Sequence, residues 1–179
     1  MFKKILNFFV VLFILTGCTQ LAFNERFNQA QWNKVLIAPF EGELALIAEE
    51  EFEYALAISP KLIVIPASIV KYQLKEHELE DLFKSSPMEA MLKLSLKEKA
   101  NGIIFAEVNG YSPRSLRAAE IATSSASIYA KLVDANSGTI VASSKYDTSS
   151  IFSGENKLIR EVSINATEEF KLFFDKIKR

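Results

Sequence analysis

The sequence predicts a single α/β domain: one mixed β-sheet covered by helices, in the order β-α-β-α-α-β-β-β-α. Three observations carry that prediction. Short apolar runs end at prolines, at Val35-Leu36-Ile37-Ala38 before Pro39 and at Leu62-Ile63-Val64-Ile65 before Pro66. Segments with apolar residues three and four apart lie between and after them. From residue 122 onward the pattern becomes strictly alternating. At 179 residues the chain is long enough for one domain.

Each element follows from its pattern. The run 35–38 is short, branched and apolar throughout, as expected of a strand buried on both faces. Leu44, Ile47, Ala48, Phe52 and Ala55 form the apolar stripe of an amphipathic helix, with Glu49, Glu50, Glu51 and Glu53 around it as a solvated face. The second buried strand is 62–65, and residues 68–80 read as a polar, weakly helical stretch carrying Lys71, Lys75, Glu76 and Glu78. Ser86-Pro87-Met88-Glu89 is a capping box with proline at the first helical position. The helix it opens would bury Met88, Met91, Leu92, Leu96 and Ala100 and stop at Asn101-Gly102. Ile103–Val108 is a third strand. In the alternating stretch, Ala126, Ile128, Ala130 and Leu132 face inward and Ser125, Ser127, Tyr129 and Lys131 outward. Asp134-Ala135-Asn136-Ser137-Gly138 supplies a hairpin turn, with a return strand from Thr139 to about Tyr146. Leu158, Ile159, Val162, Ala166, Phe170, Phe173 and Ile177 mark a long closing helix whose last residues include Lys171, Lys176, Lys178 and Arg179.

The chain begins with Lys3 and Lys4 and then eleven mostly apolar residues, Ile5 to Leu15, the layout of a secretory signal. That run is too short for a membrane span, which takes about 20 residues. Leu15-Thr16-Gly17-Cys18 resembles the lipobox of bacterial lipoproteins, and Cys18 is the single cysteine of the chain. The resemblance implies cleavage before Cys18 and covalent diacylglycerol and N-acyl lipid on it, with palmitate among the acyl chains. Losing residues 1–17 removes Lys3 and Lys4 and leaves the chain three charges negative. More than one acyl chain is what stable anchoring requires. By lipoprotein sorting rules, Thr19 in place of aspartate after the cysteine implies the outer membrane, on its periplasmic side. The expected division is therefore a signal peptide over 1–17, a lipidated tether over 18–32, with one helical turn packed back through Phe23, Phe27 or Trp32, and a periplasmic domain over 33–179.

A further resemblance rests on Ala38-Pro39-Phe40, on Lys99-Ala100-Asn101-Gly102-Ile103-Ile104, and above all on Leu132-Val133-Asp134-Ala135-Asn136-Ser137-Gly138-Thr139-Ile140-Val141. Over about residues 33–145 the chain is similar to the CsgG-, LpoB- and PelC-like lipoproteins, which share an α/β fold with the amino-terminal domain of TolB. The resemblance implies a non-enzymatic outer-membrane lipoprotein that docks on or assembles an envelope protein machine, as adaptor or activator. The alternative it implies is a ring-forming subunit of an export apparatus for polysaccharide or protein. The membrane-spanning hairpins of the curli-secretion member have no counterpart here. Each transmembrane strand needs 9–11 residues, and no junction, including 110–120, has room for a pair.

Chemistry is sparse. With a net charge of −1 the chain lacks the basic excess of a nucleic-acid binder. One cysteine and one histidine give no multi-cysteine zinc site and no Ser-His-Asp constellation. His77 lies in a charged stretch as a solvated residue, and the Glu49-Glu50-Glu51 run reads as a solvated face rather than a cation site. No glycine-rich phosphate loop is present. Asn165-Ala166-Thr167 matches a glycosylation acceptor but places Ala166 on a buried helical stripe. No catalytic residue, metal or non-covalent cofactor is expected. The expected partners are the membrane, through the lipid, and an envelope protein, with a homo-oligomer possible. The 110–117 loop carries Tyr111, Arg114 and Arg117, residue types enriched at binding hot spots, and these are the partner-binding candidates.

The anchor is directly testable. Cys18→Ala is expected to abolish palmitate labelling and move the protein from the membrane to the soluble fraction. A variant that still labels and still fractionates with membranes would exclude Cys18 as the attachment point.

Overall fold

A computed structural model describes residues 20–27, 32–59, 62–111 and 123–177. Six strands form one mixed sheet: β1 (Gln20–Phe23), β2 (Lys34–Ile37), β3 (Ile63–Ile65), β4 (Gly102–Tyr111), β5 (Ser124–Asp134) and β6 (Ile140–Ser150). Five helices accompany them: α1 (Ala45–Ala57), α2 (Ala67–Glu76), α3 (Glu80–Ser85), α4 (Pro87–Glu98) and α5 (Glu155–Ile177). The sheet order is β1-β6-β5-β4-β2-β3. Strand β2 runs parallel to β3 and β4, while β4, β5, β6 and β1 are antiparallel neighbours. The fold class is the mixed α/β one that the sequence predicts.

Helices α1 and α5 cover one face of the sheet, where Phe52, Leu56, Phe170 and Phe174 pack on Val35, Ile37, Ile104, Ile128 and Leu132. On the other face α2 and α4 pack Val70, Leu74, Ala90, Met91 and Leu94 on Leu36 and Ile103. The inward set on β5 is the expected one, with Ala126, Ile128, Ala130 and Leu132 all buried. The hairpin turn also holds: Asp134 Oδ2 accepts from the Ser137 N–H at 2.8 Å and its hydroxyl at 2.7 Å, and Gly138 takes φ +69°.

Several elements differ from the sequence reading. Within the stretch read as the tether, Phe23, Phe27 and Trp32 pack back on the core and Glu25–Phe27 forms a single helical turn, as expected, while residues 20–23 form an edge strand that was not expected. Strand β1 pairs with β6 from Gln20↔Lys145 to Phe23↔Ala142. Phe23 and Trp32 pack their rings on Phe173, at 5.0 and 6.4 Å between centroids. Gly102 opens β4 because a Cβ there would collide with the Trp32 ring.

In α4 the buried residues are Ala90, Met91, Leu94 and Ser95, while Leu96 is 69% exposed. Two stripes overlap in this sequence. Of the expected stripe Met91 and Ala100 are buried and Leu92 packs on the core, while Ala90, Leu94 and Ser95 join them and Leu96 turns outward. Ser95 is accommodated by donating its hydroxyl to Leu92 O at 2.7 Å. The Ser86–Glu89 capping box does not form: Ser86 makes no side-chain cap, and Glu89 pairs instead with Lys93 at 2.7 Å. The helix ends before Asn101-Gly102, with Lys99 in the left-handed region and the Ala100 N–H donating to Ser95 O at 2.9 Å. Asn101 is freed to tie strands together. Its Oδ1 accepts from the Asn33 and Lys34 N–H groups, at 3.0 and 3.2 Å, and its carbonyl accepts from the Ala135 N–H at 2.9 Å.

The face assignment of β5 and β6 yields a paired prediction. Leu132→Ala, at a fully buried position, is expected to cost about 2–5 kcal/mol of stability. Lys145→Ala, on the exposed side of β6, is expected to change it by less than about 0.5 kcal/mol. Denaturant midpoints of the two variants check the difference.

Candidate functional site

Cys18, Arg114 and Arg117 lie outside the described residues. Tyr111 ends β4 opposite Ser125, and its side chain lies outside them too. The described residues therefore leave that loop open and present a different candidate.

The glutamate run on α1 is not the solvated face expected of it. Glu49 is 3% exposed. Its Oε1 accepts the Phe40 N–H at 2.9 Å, and its Oε2 pairs with Lys71 Nζ of α2 at 2.9 Å. One carboxylate thus ties the end of the β2 segment to helices on both faces of the sheet. Glu53, one turn on, accepts the Ala67 N–H at the start of α2 at 2.8 Å. Burial pushes the Glu53 carboxyl above the usual carboxylate range, with the neighbouring Glu49 and Glu50 charges adding to the rise and the Ala67 hydrogen bond opposing it. Folding therefore favours its protonated form, and its contribution to stability declines as pH rises through the carboxylate range. Arg160 of α5 pairs with Glu51 and also lies 4.0 Å from Glu50, the exposed member of the run. These carboxylates hold elements together. Among the described residues no cluster of three or more His, Cys, Asp or Glu is placed to hold a metal ion.

The candidate site is a cleft of about 260 Å³ where the α3–α4 corner overhangs the sheet. Phe83, Pro87 and Met88 come from that corner, Phe105 and Glu107 from β4, Tyr129 and Lys131 from β5, and Pro39 and Glu41 from the segment after β2. The ladder registers Phe105 with Lys131 and Glu107 with Tyr129, which puts all four on the same side of the sheet. Lys131 Nζ sits 5.4 Å from the Phe105 ring centroid. Backbone bonds between Glu41 and Ala106 and between Val108 and Glu41, at 3.0 and 2.8 Å, bring the Glu41 backbone beside that of Glu107. The floor is aromatic and proline-rich, and two carboxylates, an ammonium and a phenol surround it. Tyr129 is 42% exposed. Such a set binds. It offers no nucleophile paired with a base.

Beyond the cleft the sheet face continues without a helix packed on it among the described residues. The outward residues of β5 and β6, among them Ser127, Ser143, Lys145 and Asp147, alternate with the buried set, and among the described residues the main packing of α2 and α4 is on β2 and β4. The cleft residues come from four separate stretches of chain, and each alone reads as a helix corner or an outward strand position. Only Tyr129 and Lys131 carried a sequence signal, as the outward members of an alternating strand.

No family model matches the sequence, and no curated protein matches it. Solved structures do match it in fold. The PelC dodecamer from Paraburkholderia phytofirmans aligns with a TM-score of 0.53 at 12% identity, over 84% of this chain and 94% of that one. The LpoB C-terminal domain from Salmonella enterica gives 0.49 at 14% identity, over 69% and 90%. Lipoprotein GNA1162 from Neisseria meningitidis gives 0.46 at 18% identity, over 77% and 98%. The domain thus has the PelC-like α/β fold that its motifs implied. At these identities the likeness is one of fold.

Glu49 gives a test of the scaffold beneath the cleft. Glu49→Ala leaves the Phe40 N–H without its acceptor and is expected to cost about 1–3 kcal/mol. Glu49→Gln keeps an acceptor in place and is expected to lose less. Equal losses in chemical denaturation would show that the hydrogen bond to Phe40 is not the stabilising element.

Proposed function

We propose that this chain is a lipid-anchored, non-enzymatic protein of the bacterial envelope, held to the outer membrane through Cys18 and facing the periplasm. There it docks on or helps assemble a protein machine. The observation that carries this reading is the uncovered half of the sheet beside the Phe105–Tyr129 cleft. An antiparallel sheet commonly leaves one face to solvent; here that face borders a cleft lined by Phe105, Tyr129 and Lys131, and aromatic residues are enriched where a partner is held. The leader and Cys18 support the location, and the PelC-like fold supports the class.

A second reading, a ring-forming export subunit, is favoured by the dodecameric state of the PelC structure. A closed ring needs head-to-tail contacts between two different surfaces of each copy. Light scattering on the detergent-solubilised lipidated protein separates the two: a discrete high-order oligomer supports the ring, and a monomer supports the adaptor.

A photo-crosslinker at position 129 or 131 is expected to capture an envelope protein in cells. Truncating a binding anchor costs at least about 2 kcal/mol, roughly thirtyfold in affinity. Tyr129→Ala is therefore expected to weaken the captured complex by that order while the protein keeps its thermal midpoint. No capture from the cleft, with wild-type behaviour of the folded variant, would move the contact elsewhere. Crosslinking from positions 111, 114 and 117 then tests the loop.

A further inference from the structure

The turn between β6 and α5 exposes two large apolar side chains side by side, Phe152 at 92% and Ile151 at 51%. The turn is well formed. Ser150 Oγ accepts the N–H groups of Phe152 and Ser153, at 3.0 and 3.1 Å, so these donors are satisfied without water. Among the described residues its charged neighbours are few: Lys157 is exposed on the first turn of α5, and Glu155 is turned toward Gly110.

The register of β1 decides which end of the domain this is. Gln20 lies opposite Lys145 and Phe23 opposite Ala142. The chain therefore arrives at β1 from the Ser150 end of β6. Only Thr19 lies between Cys18 and the start of β1 at Gln20, and that stretch spans at most about 7 Å. The tether cannot hold the domain off a bilayer. From Lys145 to Ser150 the strand rises about 17 Å toward the end from which the chain arrives. The turn thus projects beyond the reach of the anchor, in the direction of the acyl chains.

We propose that the Ile151–Phe152 turn is a second membrane contact, inserting into the interfacial layer of the bilayer beside the acylated Cys18 and setting the domain with its strands pointing at the membrane. This rests on the lipid anchor proposed above. An aromatic side chain beside a second apolar one, on a turn whose donors are already paired, suits the headgroup boundary, where amphipathic and aromatic groups concentrate. A protein partner at the same tip would have to reach past the anchor.

The test uses the mature lipidated chain carrying Phe152→Trp, reconstituted in vesicles of phosphatidylethanolamine and phosphatidylglycerol with and without brominated acyl chains. The native Trp32 is buried and provides a constant background. A second variant, Ile140→Trp, places the probe at the opposite end of β6, about 34 Å away. The expected result is a blue shift and strong quenching by brominated lipid at position 152, and neither at position 140. Vesicle-bound, palmitate-labelled protein whose indole at position 152 is quenched no more than the one at position 140 overturns the contact and leaves the anchor standing. A blue shift without quenching overturns it equally, since that marks protein against the tip. Loss of palmitate labelling in the native chain overturns both readings.

Discussion

Helix α5 lays Leu158, Ile159, Val162, Ala166, Phe170, Phe173 and Phe174 across the sheet, all of them buried, and the rest of the domain depends on that contact. The helix touches β4, β5, β6 and α1. Without it the inward faces of β5 and β6 would meet water along their whole length. Each buried phenylalanine contributes about 1.5–3 kcal/mol by leaving water, and the ring contacts Phe52–Phe170 at 6.0 Å and Phe173–Phe174 at 5.4 Å add to that. The same helix recruits the amino-terminal segment, since Phe23 and Trp32 both dock on Phe173. Helix α5 thus fixes where β1 and Trp32 lie.

Strand β4 joins two halves with different rules. On one side it meets β2 in parallel over Val35↔Gly102 to Ile37↔Ile104, and on the other it pairs with β5 antiparallel over ten residue pairs. Parallel pairing requires crossover helices, and these cover that half on both faces. Antiparallel hairpins bring no helices of their own. The face of β5 and β6 opposite α5 is therefore left bare by topology, and the cleft forms where the covered half ends. Glu49 reinforces that boundary, because its hydrogen bond to Phe40 and its ion pair with Lys71 link the β2 segment to α2 across the sheet edge.

These features bear on function together. Under the proposed anchoring, strands that point at the bilayer leave the bare face standing perpendicular to the membrane, open to a neighbour embedded in or lying along it. The short reach from Cys18 to β1 then makes the orientation a property of the fold rather than of a flexible arm. Interaction through a rigid, oriented face fits an adaptor, and the same orientation would align copies side by side in a ring.

The α/β class and the main elements were legible in the sequence, because period and punctuation are local. Ala126 to Leu132 alternate, Asp134 and Gly138 make a turn from their own side chains and backbone, and α5 repeats its apolar stripe over about six turns. Packing in three dimensions was needed to settle which of two stripes of α4 is buried, that Glu49 is an interior tie, and that residues 20–23 form an edge strand. It also assembled the cleft from Pro39, Phe83, Phe105 and Tyr129, which lie far apart in sequence. Burial of a helix face depends on how close its neighbour can come, and a carboxylate goes inside only where a backbone donor and an ammonium from another element meet it. Neither condition is written in the spacing of residues along one segment.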